Sequence, residues 1–173
     1  MIDLVTQELN RDFPELLSLS CLFMALAWFI VCGIRLFLID VREHRLPNVW
    51  TGTLALGATI LLLTSTLTAT DASYLSDRTA STLIGGLAYC LVMFILHVVT
   101  RAGIGMGDVK LAAGLGLYTG YLGLEALLAG FVLAFVLGGA QAVYLMVFRG
   151  ANKSTRIAFG PAMLLGCLLI LLT

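Results

Sequence analysis

Apolar residues run through this chain in long blocks, and charged residues interrupt them at wide intervals. The uncharged runs are 16–34, 46–70, 79–100, 111–124, 126–148 and 157–173, holding 19, 25, 22, 14, 23 and 17 residues. A transmembrane helix needs about 20 predominantly apolar residues, with a range of about 17–25. The pattern therefore predicts an all-α, polytopic membrane protein with six transmembrane helices, near 16–39, 48–69, 79–100, 108–121, 124–147 and 157–172. The fourth is short, so it is expected to start at Asp108, with Lys110 extending its chain toward the headgroups. Tyr118 and Tyr121 near its far end read as interfacial aromatic anchors. Residues 1–15 are expected outside the membrane, and 1–173 as a single membrane-embedded domain.

Composition strengthens this picture. Hydrophobic residues make up 60% of the chain and charged ones 12%, against about 45–50% and about 25% in a soluble domain. Ten basic and ten acidic side chains cannot cover a water-facing surface of this size, and their cancelling charges offer no basic face to nucleic acid. Acidic residues (Asp3, Glu8, Asp12, Glu15) precede the first run and no small-residue cleavage site follows it, so it reads as a retained span. Cys21, Cys32, Cys90 and Cys167 all lie inside apolar runs and never as C-x-x-C, which favours buried thiols over a disulfide framework or a zinc site.

Charge also sets the expected orientation. Loops on one side of a six-span bundle carry Arg42, Arg45, Arg101, Lys110, Arg149, Lys153 and Arg156, while the other side has Arg11 and Arg78. Basic loops stay cytoplasmic. Both termini are therefore expected outside.

Ionisable residues at membrane depth are costly, and so are candidates for function. Most acidic residues fall in polar segments; Glu43 reads as a surface charge and Glu125 as interfacial. Asp40 and Asp108 stand apart. Asp40 ends the first span and Asp108 opens the fourth, so the topology brings both to one end of the membrane. Two carboxylates at one depth suit acid–base hydrolysis, one ionised to activate water and the other protonated toward the scissile carbonyl. The helix dipoles assign the roles: carbonyls at the end of span one oppose charge on Asp40, and N–H groups at the start of span four favour it on Asp108.

Around Asp108 the sequence reads Gly105-Met-Gly107-Asp108-Val-Lys110-Leu111. Asp40 is followed by Leu46-Pro47-Asn48, and Ile157-Ala-Phe159-Gly160-Pro161 precedes the last run. Together these resemble the G-x-G-D-x-K-L, first-aspartate and I-P-F-G-P motifs of type IV prepilin peptidases, a family of intramembrane aspartic proteases. The resemblance covers residues from about 35 to 170 and implies catalytic roles for Asp40 and Asp108. It also implies site-shaping or substrate-binding roles for Gly105, Gly107, Lys110, Pro47, Asn48, Phe159, Gly160 and Pro161. It further implies removal of the basic leader from prepilin-like precursors, at the cytoplasmic face of a bacterial or archaeal cytoplasmic membrane, with no cofactor. The paired C-x-x-C motifs of members with a methyltransferase domain are missing between the first spans, so the chain resembles the short, peptidase-only form. Ala158 stands where that family has proline.

Plainer readings accompany each motif. The glycines at 103, 105 and 107 suit a helix contact as well as a bent backbone, and Pro47-Asn48 and Pro161 suit ordinary helix starts. Lys110 reads as a snorkelling cation, Arg35 as one set on the opposite helix face from Asp40, and His97 as an interhelical hydrogen-bonder. No further cluster of His, Cys and carboxylates suggests a metal. The rival reading is a small proton- or cation-coupled transporter using the same carboxylates. Such proteins carry repeats and midplane sites, whereas both aspartates here fall at one membrane end.

Overall fold

The computed structural model describes residues 16–43, 45–68, 72–100, 103–149 and 159–173. These residues form six helices: α1 (Leu16–Glu43), α2 (Asn48–Leu67), α3 (Ala72–Val99), α4 (Met106–Leu122), α5 (Leu124–Arg149) and α6 (Gly160–Leu172). No strand occurs among the described residues. Each long apolar run thus contains a helix. Four of them, within α1, α2, α3 and α5, have the length and apolarity to cross a membrane. The remaining two are shorter: 17 residues in α4 and 13 in α6. At about 1.5 Å per residue they extend about 26 and about 20 Å, less than the roughly 30 Å of a hydrocarbon core.

The helices are arranged as a ring around an axle. Contacts run α1–α2–α3–α5–α6 and back to α1, and α4 packs inside against α2, α3, α5 and α6. Its burial follows: Val109, Leu111, Ala112 and every residue from Gly114 to Tyr121 are buried. An apolar stripe with a polar back would be useless in that position, and α4 has none. The ring helices bury one face and leave Phe23, Ile34, Leu56, Ile60, Leu87, Ile95 and Val136 exposed on the other. An outer surface this apolar belongs in lipid rather than water.

Small residues allow the axle to be gripped. A Cβ at Gly120 would stand 2.6 Å from the Ser81 carbonyl oxygen and 2.8 Å from Gly85 Cα, and one at Gly85 would stand 2.6 Å from the Gly116 carbonyl oxygen. Backbone therefore meets backbone along the α3–α4 seam, in the manner of small-residue membrane interfaces.

The two tyrosines of α4 are not interfacial anchors. Tyr118 and Tyr121 are fully buried. The Tyr118 hydroxyl donates to the Ala25 carbonyl at 2.8 Å, and Tyr121 Oη shares a hydrogen bond with Ser65 Oγ at 3.1 Å. Because α4 is buried continuously from Gly114 to Tyr121, its polar tips find partners in α1 and α2 instead of headgroups. Ser18 bonds Ser65 in turn, and Arg78 donates to the Tyr121 carbonyl. A polar knot thus closes the end of the bundle opposite Asp40 and Asp108.

Helix boundaries also depart from the charge-delimited runs. Helix α1 continues through Asp40 to Glu43, and α3 begins at Ala72 rather than near 79. Charges end an apolar run without ending a helix. Asp40 sits one turn before the last residue of α1, on the buried face that also carries Phe29, Cys32, Gly33 and Leu36. Residues 1–15, His44, Arg101, Lys153, Arg156 and the Ile157-Ala158 pair lie outside the described residues.

Candidate functional site

Three chain turns converge at the end of the bundle that holds Asp40. The first is the α1–α2 turn with Leu46 and Pro47, the second the segment Gly103–Gly105 leading into α4, and the third the start of α6 at Gly160. Asp40 is 4% exposed and Asp108 9%, unusual burial for carboxylates. They come from different helices, α1 and α4, and stand close enough for their charges to interact.

Leu46 occupies the middle of this convergence. A Cβ at Gly107 would lie 2.9 Å from Leu46 Cβ, and one at Gly160 would lie 3.3 Å from Leu46 Cδ1. The Gly160 position also faces Asp40, with Oδ2 only 2.6 Å from where a Cβ would be. Glycine is thus required at both positions by close approach and not by backbone conformation. Leu46 opens the L-P-N motif, yet only Pro47 and Asn48 of that motif are expected in the site. Its importance arises only when segments about sixty and more than a hundred residues away fold against it.

Asp108 lies in the first turn of α4, two residues after the helix begins at Met106. Gly105 is the N-cap, with φ −67° and ψ 144°. The Gly105 N–H donates to Asp108 Oδ2 at 3.2 Å, while the Asp108 N–H donates to the Gly105 carbonyl at 3.1 Å. This reciprocal pair resembles half of a capping box, and it directs one N–H of the glycine segment at the carboxylate. His97, expected to bond another helix, instead has Nδ1 2.6 Å from the Ile104 carbonyl in that segment.

Helix α2 starts at Asn48 with Pro47 as its N-cap, and the Thr51 N–H bonds the Pro47 carbonyl at 3.3 Å. Lys110 Nζ donates to Asn48 Oδ1 at 2.8 Å. The two motif residues therefore tie the start of α4 to the start of α2 at an exposed edge of the site. Arg35 places its guanidinium 5.7 Å from the Trp50 ring centroid, a cation–π contact along the α1–α2 seam.

The late motif divides. Gly160 stands against Asp40, and Pro161 is buried in the first turn of α6. The Phe159 ring instead packs on Phe135 of α5 at 5.3 Å between centroids, and fills the space beside Gly138. Its carbonyl accepts the Met163 N–H at 3.2 Å, fixing the start of α6. Phe159 thus anchors the turn that delivers Gly160. Among the described residues, no three His, Cys, Asp or Glu side chains gather where they could hold a metal ion.

The model of the type IV leader peptidase family matches residues 23–143. The chain belongs to that family. The matched segment contains both aspartates, the Leu46-Pro47-Asn48 turn and the whole Gly105–Lys110 stretch, and stops before α6. No curated protein and no solved structure matches the chain. Membership in the leader peptidase family joins with the apolar outer surface to support a membrane-embedded peptidase.

Proposed function

We propose that this family member is a membrane aspartic endopeptidase that removes the basic leader of prepilin-like precursors, at the cytoplasmic face of a bacterial or archaeal membrane. The observation that carries the reading is the pair of buried carboxylates, Asp40 and Asp108, delivered by two helices to one end of the bundle. The whole chain then serves as one peptidase domain with both termini outside. Gly105, Gly107, Gly160 and Leu46 shape the floor between the aspartates, and Pro47, Asn48, Lys110 and Pro161 frame it.

In this mechanism Asp108 is the charged member of the pair and Asp40 holds the proton. The sequence-based dipole contrast is weaker than expected, because the Asp40 oxygen also faces the start of α6 at Gly160. That N-terminus partly offsets the carbonyls at the end of α1. What supports Asp108 as the carboxylate is the Gly105 N–H donating to it within the first turn of α4. Asp108 takes a proton from water as the water oxygen attacks the scissile carbonyl carbon, and Asp40 donates its proton to the carbonyl oxygen. Collapse of the tetrahedral diol breaks the C–N bond, with the leaving amine protonated by Asp108 and Asp40 regaining a proton from the diol.

Incubating the purified, detergent-solubilised protein with a prepilin-like substrate tests the reading. Shortening at the N-terminal side, seen by mass spectrometry, is the expected result. An intact substrate under conditions where the protein remains folded would overturn it.

A further inference from the structure

The peptide unit joining Ile104 to Gly105 is held from both sides. Its carbonyl lies 2.6 Å from His97 Nδ1. A carbonyl only accepts, so Nδ1 carries the proton and donates. The N–H of the same unit donates to Asp108 Oδ2 at 3.2 Å. Because a peptide unit is planar and rigid, fixing its oxygen fixes the direction of its N–H. Donation to the oxygen also polarises the amide and strengthens the bond that its N–H makes.

We propose that His97 is a positioning residue, which aims the Gly105 N–H at Asp108 by holding the Ile104 carbonyl. The inference rests on Asp108 acting as described above, and it adds a residue outside the motifs. The local chain supplies the need for such a hold. Gly103 and Gly105 flank Ile104 and leave the backbone unusual freedom, and Gly105 itself is exposed. The Gly103 N–H bonds the Thr100 carbonyl at 3.1 Å, which secures the approach to this peptide but not its plane. His97 is suited to complete the task. It is half-buried, lies against Phe94 with the rings inclined by 22°, and belongs to α3, which is locked to α4 along the glycine seam.

The test compares wild type, His97→Leu, His97→Asn, His97→Gln and Asp108→Asn as full-length proteins in detergent. An asparagine amide nitrogen reaches about where Nδ1 sits, whereas that of glutamine reaches nearer Nε2. Kinetics on a prepilin-like substrate should show His97→Leu losing about tenfold to a hundredfold in kcat, with KM within about twofold. His97→Asn should recover to within about threefold of wild type and His97→Gln should not. If His97→Leu fails to fold, the Asn and Gln variants carry the comparison. A second readout needs no turnover: the infrared carboxylate band removed by Asp108→Asn should move in His97→Leu and return in His97→Asn. A wild-type kcat in His97→Leu, equal losses in the Asn and Gln variants, or an unmoved band would overturn the proposal. A band that moves as expected in a protein that cleaves nothing would support the positioning role and sink the peptidase reading instead.

Discussion

Replacing Gly160 with alanine should disable the site while leaving the bundle folded. The new Cβ would stand 2.6 Å from Asp40 Oδ2 and 3.4 Å from Asp40 Cγ. An ordinary carbon–oxygen contact is about 3.4 Å or more, so about 0.8 Å must be absorbed by the carboxylate or by the start of α6. Leu46 Cδ1 at 3.3 Å closes the neighbouring escape route. A misplacement of about 1 Å at a reacting group can cost about a hundredfold in rate, equivalent to about 2.7 kcal/mol on the barrier. Overpacking itself costs about 1–3 kcal/mol of stability, so comparators are needed. Gly166→Ala places a Cβ 2.9 Å from the Ala134 nitrogen, away from the aspartates, and Gly139→Ala meets nothing within 4 Å. Steady-state cleavage and thermal unfolding in the same detergent should separate the three. Gly160→Ala loses kcat, Gly166→Ala loses stability only, and Gly139→Ala loses neither. A Gly160→Ala enzyme with kcat within about threefold of wild type would refute the steric link between α6 and Asp40.

The paired carboxylates make a joint prediction: Asp40→Asn and Asp108→Asn should each abolish cleavage while the protein still accumulates, and the double variant should be no worse than either single one. Residual turnover near wild type in either, measured on the same substrate, would break the pair. Gly120→Ala should lower stability by about 1–3 kcal/mol, because backbone at Ser81 and Gly85 cannot yield as a flexible side chain does; unfolding in denaturant reads this directly. Cysteine introduced at position 44 or 152 should react with an impermeant thiol reagent only from the cytoplasmic side, and labelling from outside would invert the proposed orientation.

The helices and the two aspartates were legible in the sequence because both signals are local. Long uncharged runs fold as helices wherever they lie, and a carboxylate bordered by apolar residues stands out at once. The structure departs from the sequence pattern in properties that depend on neighbours. Tyr118 and Tyr121 resemble interfacial anchors in any short helix, and only the ring of helices around α4 converts them into internal hydrogen-bonders. Asp40 is expected to end the first span, but its helix continues for another turn because Val41, Arg42 and Glu43 can face outward. Leu46 and His97 were invisible as site residues for a common reason. One is an apolar residue in a turn and the other a histidine near a helix end, and each gains significance from a contact with a glycine-rich segment. Phe159 shows the reverse: its motif suggested a place in the site, while its ring found the open space left by Gly138 on α5.

The closure of the ring between α1 and α6 has a consequence for the time at which the protein becomes competent. Asp40 emerges early during synthesis, and Asp108 follows some seventy residues later, carried into the bundle by a helix too short to span a bilayer comfortably alone. Helix α4 fits α3 through its glycines, and part of its remaining surface is covered only by α5 and α6, which follow it in the chain. Gly160, which sets the wall against Asp40, is delivered last. A nascent chain halted between α4 and α6 therefore holds both carboxylates without the wall that confines the first of them. Closing the ring of helices and completing the wall around Asp40 are thus one step, and it waits for the start of α6.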